Sequence, residues 1–374
     1  MSRQAVAYGR RLLALAAALA AALAAAPVPP SAAAQGHVEY AVVGPEGRID
    51  LPADHGSHPD YRTEWWYVTG WLETAGGEAL GFQVTFFRTR PDVPAGNPSA
   101  FAPTQLVIAH AALSDTRLGR LRHAERIARA SHGLAGADVA DTRVWLDDWQ
   151  LEREGDSYRT RVDGEGFAFE LALGATQPAM INGSGGYSRK GPRPESASFY
   201  YSVPQLGVTG TVERDGRREA VTGLAWLDHE WSTALLDERA VGWDWIGVNL
   251  DDGGALMAFR LRDAAGGEVW AGGSIREPDG RLRILAPNDV EFVPQRRWRS
   301  PRTGIEYPVS WNVHAGGQAW AIVPLLDDQE SDARATTGSV YWEGAVRAIR
   351  DDSEEGRGYL ELTGYGEPLR LPGD

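Results

Sequence analysis

WDWIGVNLDDGGALMAFRLRD, residues 243–263, reads as two strands joined by a turn. Successive side chains of a strand point to opposite faces, so Asp244, Ile246, Val248 and Leu250 share one face, and Trp243, Trp245, Gly247 and Asn249 share the other. Between the two runs, LDDGGAL places Asp and Gly where a hairpin turn needs backbone freedom. The stretch therefore predicts an antiparallel hairpin, with one carboxylate on its aliphatic face.

The same pattern recurs along the chain. EWWYVTGWLE, LGFQVTFFRT, QLVIAHAALS, RVWLDDWQLE, SFYYSVPQLGVTGTVE, VSWNVHAGGQAWAIVPLL and VYWEGAVRAI are alternating or β-branched and aromatic runs set between Gly, Pro and Asp turns. Only RHAERIARAS, residues 122–131, has a helical look. Strands at hairpin distance without intervening helices imply antiparallel sheets, and closure into barrels removes exposed edges. The expected class is all-β, with two barrels or sandwiches. The boundary is placed in STALLDERAVG, residues 232–242, which gives an N-terminal domain over 35–231 and a C-terminal domain over 232–374.

The first 34 residues read as an export signal: Arg3, Arg10 and Arg11 precede an apolar run from Leu12 to Ala26, and Ala32-x-Ala34 offers a cleavage site before Gln35. The run falls short of the roughly 20 residues that span a bilayer, and an uncleaved N-terminal anchor is the rival reading. A periplasmic or secreted location follows. Removing the three basic residues of this segment takes the formal charge from -14 to -17, which disfavours nucleic-acid partners and electrostatic docking on anionic lipid. The chain has no cysteine, so disulfides, thiol nucleophiles, thiolate metal sites and lipoprotein anchoring are excluded.

Several motifs fail on spacing. Ser184 in INGSGG and Ser274 in AGGSIRE each lack a glycine of the hydrolase nucleophile elbow, and HEWST at 229–233 has threonine where a zincin needs its second histidine. His55 and His58 are read as solvated histidines of an entry loop and no metal site is assigned; the Gly-rich INGSGGYSRKGPRP is read as a mobile loop. His110 and His314 are expected to be satisfied core histidines.

Two clusters carry chemistry. A carboxylate on an apolar strand face, as at Asp244, must either find a partner or become neutral, and a neutral carboxylic acid is a proton donor. In LDHEW, His229 stands between Asp228 and Glu230, with Trp231 on the same face as His229 if the segment is extended. Tryptophan faces stabilise a nearby positive charge.

YRTEWWYVTGWL, LVIAHAALSD, GLAWLDHEW, WDWIGVNLDDG, YWEGAV and GRGYLELTGY together resemble the family of carotenoid 1,2-hydratases and secreted AttH-like proteins, over most of residues 55–370. The resemblance implies two lipocalin-like β-barrel domains in tandem. For hydratase members it also implies addition of water to a terminal alkene without a cofactor. The family's H-x-W pair corresponds to His229 and Trp231. Its Tyr-x-Asp pair is met only at Asp244, with Gly242 where the tyrosine would stand. On this reading Asp244 is the general acid, Trp231 stabilises the cation, His229 positions water, and Trp65, Trp66, Trp243 and Trp245 line an apolar ligand in a barrel lumen. Two alternatives stand beside it. One is a non-catalytic lipid carrier with a transient membrane or ABC-type transporter contact; the other is a secreted hydrolase using Asp228, His229 and Glu230.

Overall fold

The hairpin at residues 243–263 is present: strands Gly242–Leu250 and Ala255–Arg262 pair antiparallel, with Trp245 opposite Phe259. The computed structural model describes residues 38–94, 97–99 and 101–369, so the expected export signal lies outside the described residues.

Two large antiparallel sheets account for nearly all the regular structure. The first runs, in spatial order, Arg120–Arg129, Leu106–Asp115, Ala79–Thr89, Thr63–Thr74, Arg217–Ser232, Ala197–Arg214, Phe167–Ala175, Ser157–Gly164, Trp149–Glu154, Arg143–Leu146 and Ala135–Ala137. It curls until its ends approach: Arg126 reaches Asp148 and the carbonyl of Asp163, and Arg122 binds Asp215 at 2.7 Å. The second sheet is centred on Ala255–Arg262, Gly242–Leu250, Ser353–Leu362 and Ser339–Arg350. The first sheet's last long strand ends at Ser232 and the second's first begins at Gly242, while residues 233–241 form no strand. This is the lipocalin-like β-barrel architecture expected for the chain.

The helical reading of residues 122–131 is corrected: residues 122–129 are strand, and the last two follow it as loop. Arg120–Arg129 pairs along its whole length with Leu106–Asp115, and that non-local ladder overrides a weak local preference.

Neither lumen is an open tunnel, contrary to expectation. The first is filled by Trp66, Phe82, Phe86, Trp149 and Tyr201, the second by Trp311, Trp320, Trp342 and Tyr307, all fully buried. Small barrels of this kind are commonly closed by their own side chains. The two sheets instead pack through their outer faces. Tyr67, Trp71, Tyr200 and Trp226 of the first meet Trp245, Met257, Phe259 and Tyr359 of the second in a third apolar cluster. Central strands are thus covered on both sides, which explains why their residues are buried almost without alternation.

A β-bulge locks this docking. The register slips between Val203 and Leu206, where Pro204 needs no ladder hydrogen bond and Gln205 adopts φ 57°. The turned-out Gln205 donates from Nε2 to the carbonyls of Leu250 and Gly254, both at 2.9 Å, and its backbone N–H reaches Asn249 Oδ1 at 2.7 Å. Thus a bulge in one sheet grips the hairpin that opens the other.

Candidate functional site

Period two divides the LDHEW segment between two environments. His229 and Trp231 point into the first lumen; Asp228 and Glu230 point outward, toward the second sheet.

On the lumen side, His229 and His58 both approach Glu64 Oε1, at 2.9 and 2.8 Å, while Arg88 donates to Oε2 at 2.8 Å. The second nitrogen of His229 lies 3.1 Å from the Tyr201 hydroxyl, which also meets His55 Nδ1 at 3.0 Å. Trp231 stacks on His58 at 3.7 Å, and Trp66 on His229 at 4.7 Å. Burial alone would raise the Glu64 pKa, but hydrogen bonds from His229 and His58 and the Arg88 charge outweigh it and hold it below the usual carboxylate range. Burial lowers both His229 and His55 to about 4, so both rings are neutral at pH 7. The ligand atoms of His58, Glu64 and His229 lie within 4.8 Å of one another, close enough among the described residues to be tested as a metal site. Arg88 already balances the Glu64 charge, however, and both imidazole contacts have hydrogen-bond lengths to one oxygen. The hydrogen-bonding groups of Glu64, His229, Arg88 and Tyr201 have their partners as they stand, although Trp66 Nε1 beside them is buried without one. His55 and His58, expected to be solvated, are buried and partly buried members of this network.

The outward side opens on a cavity of about 1060 Å³ between the sheets, its mouth included. Trp65, Tyr67, Phe87, Trp243, Trp245 and Phe259 make its walls, with Leu235 and Leu236 of the connecting segment also lining it. Into this apolar space project Asp228, Glu230, Glu343 and Glu361, with Lys190. The carboxyl of Asp228 accepts from Ser202 at 2.6 Å and Trp226 at 2.7 Å on Oδ1, and from Tyr200 at 2.8 Å on Oδ2. Burial, reinforced by the Glu230 charge, pushes it up to about 7 against the pull of those three donors. Glu230 pairs with Lys190 at 3.1 Å and accepts from Ser198. Glu343 and Glu361 are cross-strand partners on adjacent strands of the second sheet. Burial, then the charge of Glu361, raises Glu343 well above its usual value, and burial pushes Glu361 up to about 7. His110 also lines the cavity, hydrogen-bonded to Tyr341 at 2.8 Å and Thr336 at 2.9 Å, and burial lowers it to about 3. It is a satisfied neutral histidine, as expected. His314 is exposed rather than in the core, because its face of the strand is turned outward.

Asp244 is where the sequence placed it, on the face of Ile246 and Val248, but it is not a free acid. Arg260 and Arg262 donate to it at 2.7 and 3.1 Å and the Tyr365 hydroxyl at 2.8 Å, inside the second barrel and away from the cavity. Asp244 is thus the shared partner of two arginines, and its expected role as proton donor to the ligand is corrected, because it lies away from the cavity. Of the other expected residues, Trp65, Trp243 and Trp245 line the cavity, whereas His229, Trp231 and Trp66 lie in the first lumen.

Sequence reasoning passed over Glu343, Glu361 and Lys190. The signal was present for the first two: each is a lone acid within an aromatic or aliphatic run, YWEGAV and YLELTGY, the same pattern that singled out Asp244. Lys190 sits in the Gly-rich segment read as a mobile loop; that segment contains the short strand Tyr187–Arg189 and buries Lys190 against Glu230.

The description of the AttH-like family matches residues 42–365. Among curated proteins, none matches the chain in sequence. The crystal structure of an AttH candidate from Nitrosomonas europaea is 51% identical, with a TM-score of 0.82, and the match covers 87% of this chain and 99% of that one. Kievitone hydratase from Nectria haematococca is similar at 15% identity and a TM-score of 0.66, over 88% of this chain and 98% of the other. CghA follows at 12% identity and a TM-score of 0.50, over 88% and 97%. The last two likenesses are of fold alone. The resemblance carried by the six aromatic blocks is confirmed at the level of family: the chain belongs to the AttH-like family.

Proposed function

We propose that this protein takes an apolar small molecule into the cavity between its two sheets and hydrates a carbon–carbon double bond there, with Asp228 as the general acid. The observation that carries the reading is Asp228 itself, a buried carboxyl with its pKa near 7 on the wall of an aromatic cavity. A general acid works best with a pKa close to the working pH. Oδ1 already accepts two hydrogen bonds and Oδ2 only one, so Oδ2 is the oxygen with room for the proton.

Transfer of that proton to the alkene forms a C–H bond and leaves a tertiary cation and the Asp228 carboxylate. Aromatic faces such as Trp65 and Trp245 stabilise the cation. Water then adds to the cation, and its surplus proton returns to Asp228, restoring the acid. The likeness in fold to kievitone hydratase supports the reaction class without specifying the substrate. Acyclic isoprenoids are the substrate class proposed, and no step requires a cofactor.

The test is Asp228→Asn assayed on acyclic isoprenoid alkenes. Turnover should fall at least a hundredfold, the lower range of general-acid contributions, while quenching of tryptophan fluorescence by the same compounds persists. Full turnover in the variant overturns the assignment. Ligand binding with no turnover in either protein favours the carrier reading, with its membrane or ABC-type transporter contact. Export belongs to the same proposal: mass spectrometry of the exported protein should find Gln35 at the N-terminus, and retention of residues 1–34 would refute it.

A further inference from the structure

The charges on the cavity wall are unevenly matched. Glu230 has Lys190, and Asp228 has three neutral donors. Glu343 accepts one hydrogen bond, from the Tyr67 hydroxyl to Oε2 at 3.1 Å; its Oε1 is buried without a partner, although the residue is only 1% exposed. Its cross-strand neighbour Glu361 keeps partial exposure where it lines the cavity. Among the described lining residues, Lys190 is the single lysine or arginine, and it is held between Glu230, Ser188 and the Phe259 ring. Two adjacent carboxyls thus face an aromatic space with no cation of their own.

An unsatisfied carboxylate oxygen in such a place is costly unless a ligand completes it. A hard metal ion wants six or more oxygens, whereas most of this wall is aromatic and aliphatic carbon. An organic ammonium group needs what is there: a carboxylate to take its N–H and ring faces to surround its charge. We infer that the Glu343–Glu361 pair seats a protonated nitrogen, so that the cavity's ligand is an acyclic isoprenoid chain ending in an amine, with that chain lying against Trp65, Trp243 and Trp245. This rests on the reading that the cavity takes an apolar small molecule, and it names the polar end of that molecule.

The experiment compares N,N-dimethyloctylamine, 1-octanol and octanoate by tryptophan fluorescence and calorimetry. The amine should bind about tenfold tighter than the alcohol at pH 7.5, because it adds a charge-assisted hydrogen bond to the same apolar contact, and octanoate should bind most weakly. In a Glu343→Gln, Glu361→Gln double variant the amine should drop to the affinity of the alcohol, and the alcohol should be unaffected.

A readout in the unmodified protein covers the case where the variant does not fold. The pair must give up a proton to hold a cation, so amine affinity should rise from pH 6 to pH 8 while octanol affinity stays flat. Tyr67, Tyr341 and Tyr359 also face the pair and are kept protonated by burial; Asp228, Glu230, Lys190 and His110 share the cavity. Because Asp228 titrates in the same range, the profile is repeated in Asp228→Asn, where the rise should remain. Equal binding of amine and alcohol, or tightest binding of octanoate, overturns the inference and leaves the apolar cavity standing. So does a flat amine profile. Failure of all three to bind removes both.

Discussion

The two faces of the Arg217–Ser232 strand carry titratable groups one residue apart, yet they solve opposite problems. His229 ends in a closed set of partners, Glu64 and Tyr201, with Arg88 supplying the counter-charge. Asp228 and its neighbours Glu343 and Glu361 border open space, carry raised pKa values and include an oxygen with no partner. A satisfied polar network holds a structure together, whereas an incompletely satisfied one costs stability and is retained where something must bind or react. The difference argues that the conspicuous histidine and tryptophan of LDHEW belong to the scaffold, and that the less conspicuous acids belong to the site.

The largest expected effect strikes the closed face. Glu64→Gln removes the one anion shared by His58, His229 and Arg88 and leaves a buried guanidinium unpaired, at a cost of about 3–5 kcal/mol in chemical denaturation. Cavity binding should survive in whatever fraction stays folded. A loss below about 1 kcal/mol would show that the lumen network is not structural, and the comparison would break.

Asp244→Asn probes a second closed network and should rank next. The amide can still accept from one arginine but cannot balance two, so a loss of about 3 kcal/mol in stability is expected, with ligand quenching unchanged. Loss of any measured turnover without loss of stability would return Asp244 to the catalytic role that its sequence position suggested.

How much of this was legible follows from the range of each interaction. The faces of residues 243–250 came from period two alone, and even the two arginine partners of Asp244 lay in the quoted hairpin, Arg260 directly across the ladder from it. The cavity was not legible, because it exists only where the outer faces of two sheets meet. The Tyr67 hydroxyl bonds to Glu343 across 276 residues of sequence, a contact that no local pattern announces. The strand at residues 120–129 was misread for the same reason, its state being decided by the ladder to residues 106–115. His58 was read as solvated because its partner Glu64 lies beyond the turn, in the strand Thr63–Thr74.

The smallest effects are in the pH dependence of stability, where the two faces should pull in opposite directions. Asp228 is raised to about 7 from 3.8, so between those values the folded protein holds a proton that the unfolded chain has released. This group's contribution therefore weakens as pH rises from about 4 to 7. His229 is lowered to about 4 from 6.5, so across that window the unfolded chain binds the extra proton, and its contribution strengthens as pH rises. In the unmodified protein the two slopes largely cancel. Asp228→Asn should unmask the histidine's slope, giving a variant whose stability relative to wild type improves by about 2 kcal/mol from pH 5 to pH 7.5, the linkage of one group that titrates near 7. His229→Gln should do the reverse, losing ground to wild type over the same range. Urea titrations at the two pH values on both variants suffice. If the two differences share a sign, the faces of this strand do not differ as their hydrogen bonds suggest, and the assignment of scaffold to one and site to the other fails with them.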